Sequence, residues 1–301
     1  MRRRFAYLHI PKVAGTAVSS ALAAAVPDSS RAPFLLDRTL FGSFDGFDLV
    51  DPVHAASVWH PGHGDLADAD VVVGHFSLPS LRTGFDADEI AVLLREPRAR
   101  LLSHYAFWRG WDPELHEAWA PYTASRRAVE LEWKDFLCDP SIAAQTDNLA
   151  IRMLLGDDPD VPPDGFIDPA MLDALATRAA MRLREVGHID VIERHGCWDR
   201  LAGWLDTPLD VQRVNVTAPA AAAPIRRWWF EGSDRVLDDR TRGDRLLWEM
   251  AGGDDADRIW LGQVEKIVAP FEERDTFEVD QTVRDSRPFT DRVRTWIERR
   301  R

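Results

Sequence analysis

The chain has 301 residues, 45% of them hydrophobic and 29% charged, with a formal net charge of −13. This is the composition of a globular protein, long enough for one large α/β domain or two smaller ones. The negative charge argues against a general nucleic-acid or membrane-surface binder, so an anionic ligand needs a local cationic pocket.

After Met1-Arg-Arg-Arg4 comes an apolar run, Phe5 to Ile10, too short for the core of a signal peptide and read as a first core strand. It meets a Pro11-Lys12-Val13-Ala14-Gly15-Thr16 loop that opens into an Ala-rich helix. A strand ending on a helix N-terminus aims free N–H groups and the positive end of the helix dipole at one spot, which suits a phosphate or sulfate. Lys12 adds an ammonium, one of three lysines among 37 basic residues. Where nearly every cation is Arg, a compact point charge is a specific choice. The loop is not a Walker A motif, because Lys12 precedes Gly15 and no Gly-Lys-Ser/Thr follows.

Residues 28–69 are irregular, rich in Asp, Pro, Gly and His, and are expected as a long loop or lid. Asp70-Val-Val-Val-Gly74 is a β-branched run, a buried strand leading into His75. Glu89 to Arg95 is a third strand, and Pro97 starts a helix through about Arg109. Amphipathic helices are predicted over Ser125–Leu137, Ile142–Leu155 and Pro169–Arg184, a strand over Val186–Ile189, and a helix through about Leu205. Residues 218–224 read as a connector, 234–269 as helix broken at Gly252–Asp255, and 270–301 as a peripheral segment. With no repeat or boundary, 1–301 reads as one α/β domain, a parallel β-sheet flanked by helices. In such sheets ligands sit at the carboxyl ends of the strands, so the Pro-Lys loop, His75 and Arg95 should converge. No stretch approaches ~20 apolar residues, so no membrane span is expected. Cys138 and Cys197 are too few for a disulfide framework and are expected as buried free thiols in the cytoplasm. Abundant Ala, Arg, Asp and Pro with few Lys points to a high-GC bacterial source.

A second cationic patch follows the third strand. Arg95 closes that strand and Ser103 lies about two turns into the next helix, so a guanidinium fork and a hydroxyl can grip one phosphate. Arg98 and Arg100 are expected to face elsewhere, toward solvent, and His104 to pack or cap. Trp108 and Trp111 can line an acceptor cleft, with core packing the alternative. His60, His63 and Asp65 lack the further ligands of a metal site, and no metal is expected.

The two patches, in this order, resemble the sulfotransferase family in its carbohydrate-type branch. The family's His-Ile-Pro-Lys-Thr-x-Gly-Thr reads here His9-Ile10-Pro11-Lys12-Val13-Ala14-Gly15-Thr16. Its Arg-Asp-Pro-x-x-Arg-x-x-Ser-x-Tyr reads Arg95-Glu96-Pro97-Arg98-Ala99-Arg100-Leu101-Leu102-Ser103-His104-Tyr105. Gly74-His75, Asn148 to Arg152 and Asn215-Val216-Thr217 are weaker echoes, and the likeness spans roughly residues 5–250. The resemblance implies a P-loop-NTPase-like sulfotransferase fold and 3′-phosphoadenosine 5′-phosphosulfate as donor, with adenosine 3′,5′-bisphosphate as product. It implies that Lys12, Val13, Ala14, Gly15, Thr16 and Ala17 surround the 5′-phosphosulfate, while Arg95 and Ser103 hold the 3′-phosphate. The acceptor is then a hydroxyl of a sugar, a lipid-linked glycan or a small natural product, attacked in line. Lys12 would neutralise the bridging oxygen, and His75 stands where similar enzymes place a general base, a role imidazole suits near neutral pH. A His satisfied by the backbone is the alternative. Asn148 and Arg152, one helical turn apart, are candidate donor or acceptor contacts, or equally a cap and a salt bridge. Residues 215–217 read as a loop flanking the nucleotide. Val13 and Ala17 stand where the family often has hydroxyls, and Glu96 replaces Asp. Two other readings stay open. A P-loop-like small-molecule kinase is disfavoured by Gly74-His75 where a Mg²⁺-holding Asp is expected. The other is a non-catalytic nucleotide-binding protein.

Overall fold

The computed structural model describes residues 4–25, 31–62, 66–120, 122–211 and 225–272. The connector at 218–224, Asn215-Val216-Thr217, His63, Asp65 and most of the 270–301 segment lie outside the described residues.

The chain runs β1 (Phe5–Leu8), α1 (Gly15–Ala25), β2 (Leu35–Asp37), α2 (Pro52–Ala55), β3 (Val58–Trp59), β4 (Val71–His75), α3 (Leu78–Leu81), β5 (Ile90–Leu94) and α4 (Pro97–Arg109). Then come α5 (Pro113–Ala118), α6 (Ala124–Glu130), α7 (Trp133–Cys138), α8 (Ala143–Thr146), α9 (Leu149–Leu154) and α10 (Leu172–Leu183). The last elements are β6 (His188–Val191), α11 (Cys197–Leu205), α12 (Asp234–Met250) and α13 (Ala256–Glu272). The fold is α/β: a six-stranded, all-parallel sheet of order β3-β2-β4-β1-β5-β6, flanked by helices. β1 is buried along its whole length, as a continuous apolar run in a sheet covered on both faces should be. Its Leu8 pairs with Gly74 of β4 on one side and Val92 of β5 on the other, so the chain reverses its direction of growth around β1. The crevice beyond β4, β1 and β5 is where such a reversal places ligands.

Residues 28–69 do not run as one irregular loop among the described residues. They supply β2 and β3, with Leu36 paired to His75 and to Val58. Runs of three and two residues are too short to show a period in the sequence. Two predicted helices are broken. Ser125–Leu137 splits at Leu131, which is extended (φ −105°, ψ 143°). There Tyr105 Oη donates to the Leu131 carbonyl at 2.7 Å, and Arg109 donates to carbonyls at the end of α6. Ile142–Leu155 splits at Asn148, in the left-handed region at φ 44°. The predicted strand at Val186–Ile189 pairs two residues later, at His188–Val191.

One core surrounds the sheet; a second lies between α4, α6, α7 and α12–α13, around Tyr105, Trp133 and Phe136. Cys197 is buried as expected, while Cys138, at the end of α7, is exposed. No helix among the described residues is long and apolar enough to cross a membrane.

Candidate functional site

β1 hands its direction to the loop through His9, whose N–H donates to the Gly74 carbonyl at 3.0 Å. In the loop Lys12 (φ 69°) and Ala14 (φ 52°) are both left-handed without being glycine. Each such residue costs roughly 1–3 kcal/mol and persists where the surroundings impose it, commonly at a working site. Alternating backbone hand can turn N–H groups toward one concavity, although here the Val13 N–H donates back to the Ile10 carbonyl at 3.1 Å. Gly15 then opens α1, and a methyl group there would lie 1.8 Å from His9 Cε1. Only glycine lets the helix start this close to the imidazole. Val13 is fully buried, with its carbonyl accepting from Tyr7 Oη at 3.1 Å, and Ala17 is buried too. Both side chains are packed in the core. Thr16 is exposed on the first turn.

His75 ends β4 beside this loop. Its Nδ1 donates to the His9 carbonyl at 2.6 Å. A carbonyl only accepts, so Nδ1 carries the proton and Nε2 holds the lone pair. Burial lowers the His75 pKa from 6.5 to about 4, with the Lys12 charge adding to the shift and the His9 carbonyl opposing it. The His9 ring lies 4.5 Å from that of His75, and Phe34 stands edge-on to His75 at 5.0 Å. Both His9 ring nitrogens are buried without a partner. Burial, then His75 and Lys12, hold His9 well below its usual range. Lys12 Nζ lies 4.0 Å above the Phe107 ring. Burial, then Arg95 and Lys266, push its pKa down to about 8.

α4 brings the second patch. Glu96, fully buried, caps it by accepting from Ala99 N at 2.6 Å. Residues 100, 103, 104 and 107 then form a stripe at helical spacing, from which Arg100 and Phe107 reach the loop. Arg95, just past β5, reaches the site as expected: Nη1 donates to the Lys12 carbonyl and Nη2 to Gln263 Oε1, both at 2.9 Å. Ser103 is buried on the same stripe. His104 packs against Trp108, as expected, with ring centroids 3.9 Å apart. Burial first, then Arg100, Lys12 and His75, hold its pKa well below the usual range.

The expectation that Arg98 and Arg100 are solvated is corrected. Arg98 pairs with Glu96 at 2.8 Å and with Asp257 of α13 at 3.0 Å. Arg100 is 2% exposed, and its Nε and Nη1 have no partner. It lines a small cavity with Ile10, Val13, Arg95 and Asp244. Burial pushes its pKa down to about 10, opposed by the Asp244 charge.

Lys12, Arg95, Arg100, His9, His75 and His104 are thus gathered at neighbouring strand ends, every one with its protonated form disfavoured. An anion relieves such a cluster. The carboxylates along the same edge are committed elsewhere. Asp37 accepts from Ser77 and Thr39, and Glu193 from Glu96 N and Trp248 Nε1.

The other candidates lie elsewhere. Asn148 is fully buried, its amide donating to Asp147 and the Asp239 carbonyl and accepting from Gly243 N. Arg152 donates to Asp147, Pro162 and Gly165 through every guanidinium nitrogen. The salt-bridge alternative is the one the geometry fits: both residues tie α9 to its neighbours, and four of the five Arg152 N–H groups are spent on those ties. Arg152→Met is expected to lower stability by about 1–3 kcal/mol, because Asp147 keeps Arg240 at 2.9 Å but loses one buried partner. Denaturant unfolding checks this. Trp108, 5% exposed, packs in the second core, the core-packing alternative. Trp111 is half-buried, edge-on to Phe107 at 5.8 Å, and Phe107 itself is 42% exposed. The exposed aromatic surface beside Lys12 is therefore that of Phe107.

The buried imidazoles make an acid-side prediction. A His whose pKa is depressed in the folded chain takes its proton more readily when unfolded, so stability is full above about 6.5 and lost as pH falls toward about 4. Asp244, raised from 3.8 to about 6 by burial, works in the opposite sense, as does Glu193. His9, His75 and His104 share the one direction, so the melting temperature is expected to fall between pH about 6.5 and about 4. A flat scan over that window contradicts the buried, neutral imidazoles.

No protein-family model, curated protein or solved structure matches the chain.

Proposed function

We propose that the chain is a P-loop-like sulfotransferase that moves a sulfuryl group from 3′-phosphoadenosine 5′-phosphosulfate to a hydroxyl of a small-molecule or glycan acceptor. The observation that carries this reading is the meeting, at adjacent strand ends, of a strained loop bearing Lys12 with His75 and Arg95. The orphaned nitrogens of Arg100 and His9 in the same place fit an anionic ligand.

In the proposed reaction the acceptor oxygen bonds to sulfur as the sulfur–oxygen bond to the phosphate breaks, and that electron pair leaves with the bisphosphate. Lys12 places positive charge beside the leaving oxygen, where charge develops. His75 Nε2 takes the acceptor proton. A base already neutral at pH 7 needs no prior deprotonation, and a bound sulfuryl group beside it raises its affinity for the proton. Phe107 offers an apolar face for the acceptor beside Lys12. Against the kinase reading, the described carboxylates at this edge, Asp37, Glu96, Glu193 and Asp244, each accept hydrogen bonds from the protein itself.

Arg95 tests the assignment. Calorimetric titration with adenosine 3′,5′-bisphosphate should show Arg95→Ala binding about tenfold to a hundredfold more weakly than wild type, the loss of one charged hydrogen-bonded contact. Equal affinity for the two proteins sinks the second-site assignment.

A further inference from the structure

α4 carries a guanidinium with nitrogens that the fold leaves unpaired. Arg100 is 2% exposed, and its Nε and Nη1 find no hydrogen-bond partner among the described residues. Arg98, two residues earlier, shows what the same helix does with an arginine that serves packing: it pairs with Glu96 at 2.8 Å and with Asp257 at 3.0 Å. Arg100 instead lines a cavity about the size of one water molecule, together with Ile10, Val13, Arg95 and Asp244. Asp244 spends both carboxylate oxygens on the first turn of α9, Oδ2 accepting from Ala150 N and Oδ1 from Ile151 N, each at 3.0 Å. Ser103, three residues after Arg100 and so on the same face of α4, is buried as well.

A buried guanidinium whose N–H groups meet no acceptor is costly, and two guanidiniums on one cavity add like-charge repulsion. An anion offsets both terms, because a phosphate oxygen supplies the missing acceptor through a charge-assisted hydrogen bond. We propose that Arg100 is a second phosphate-binding arginine: one oxygen of the phosphate held by Arg95 enters the cavity and accepts from the Arg100 guanidinium. The inference rests on the reading of the site as one for a nucleotide bisphosphate, and it assigns Arg100 to the 3′-phosphate. The competing reading is structural, with water joining Arg100 to Asp244 and no part for a ligand.

The test is titration of the full chain with adenosine 3′,5′-bisphosphate and with adenosine 5′-monophosphate, which lacks the 3′-phosphate, in wild type, Arg100→Met and Arg100→Lys. Met fills the place of the buried stem without charge. Lys keeps a charge beside Asp244 but loses the guanidinium N–H groups, and it keeps the test readable if the Met variant does not fold. Arg100→Met should weaken bisphosphate binding about tenfold to a hundredfold and leave monophosphate binding within about twofold of wild type. Arg100→Lys should keep the wild-type melting temperature and lose about fivefold to tenfold in bisphosphate affinity alone. A structural arginine moves both nucleotides together or neither. Equal losses for the two ligands, or no loss of bisphosphate affinity in the folded variants, therefore overturn the assignment of Arg100 alone. A wild type that does not prefer the bisphosphate overturns the bisphosphate reading and this inference with it.

Discussion

Lys12→Ala is expected to lower kcat for sulfuryl transfer by about 10²–10³-fold, the scale set by removing one preorganised group from a site of developing charge. The fold should not suffer. Lys12 is half-buried, the charges of Arg95 and Lys266 disfavour its ammonium, and the replacement loses its contact with the face of Phe107. Its removal relieves like-charge repulsion, so the melting temperature should stay level or rise. Lys12→Arg should not restore the rate, because a planar, wider cation cannot take the place of a compact ammonium on this loop. The wild-type pH profile carries the same claim: kcat/KM should decline above about pH 8, as the ammonium loses its proton in the free enzyme. Steady-state kinetics of the two variants check all of this. A Lys12→Ala rate within threefold of wild type would remove Lys12 from the chemistry.

His75→Asn is the second large effect, expected at about 10²–10⁴-fold in kcat with donor binding retained. Asn keeps a donor for the His9 carbonyl, now bonded to His75 Nδ1 at 2.6 Å, and has no basic nitrogen to replace Nε2. The acid limb of the wild-type profile distinguishes this base from an ordinary surface histidine. Burial sets the free-enzyme pKa at about 4, so kcat/KM should stay level from neutral pH down to about 5. A limb centred near the usual 6.5 contradicts the placement. Full activity in His75→Asn would remove His75 from the chemistry.

The parts of the sequence that could be read were those with a local signature. β1, β4 and β5 are apolar runs between turn residues, and α4 begins at Pro97 and ends at Arg109 as its pattern predicts. Their alternation forced a parallel sheet, which brought Lys12, His75 and Arg95 to one edge. β2 and β3 left no such trace, because pairing with β4, not pattern, makes them strands. Arg100 was legible in principle. It stands three residues before Ser103 and seven before Phe107, on one stripe, while Arg98 stands off it. Helical spacing separates the two arginines better than composition does. Nothing local could show that Gln263 meets Arg95, since 168 residues separate them. Asn148 and Arg152 share a face, as their spacing required, and that face turns toward α12 and Asp147.

The most direct test of the two-ended anion site is a metal-free calorimetric titration of the purified chain with adenosine 3′,5′-bisphosphate, run beside Mg·ATP. Tight binding of the bisphosphate with weak binding of Mg·ATP is the predicted result. The reverse preference would contradict the sulfotransferase reading and make the site that of a kinase.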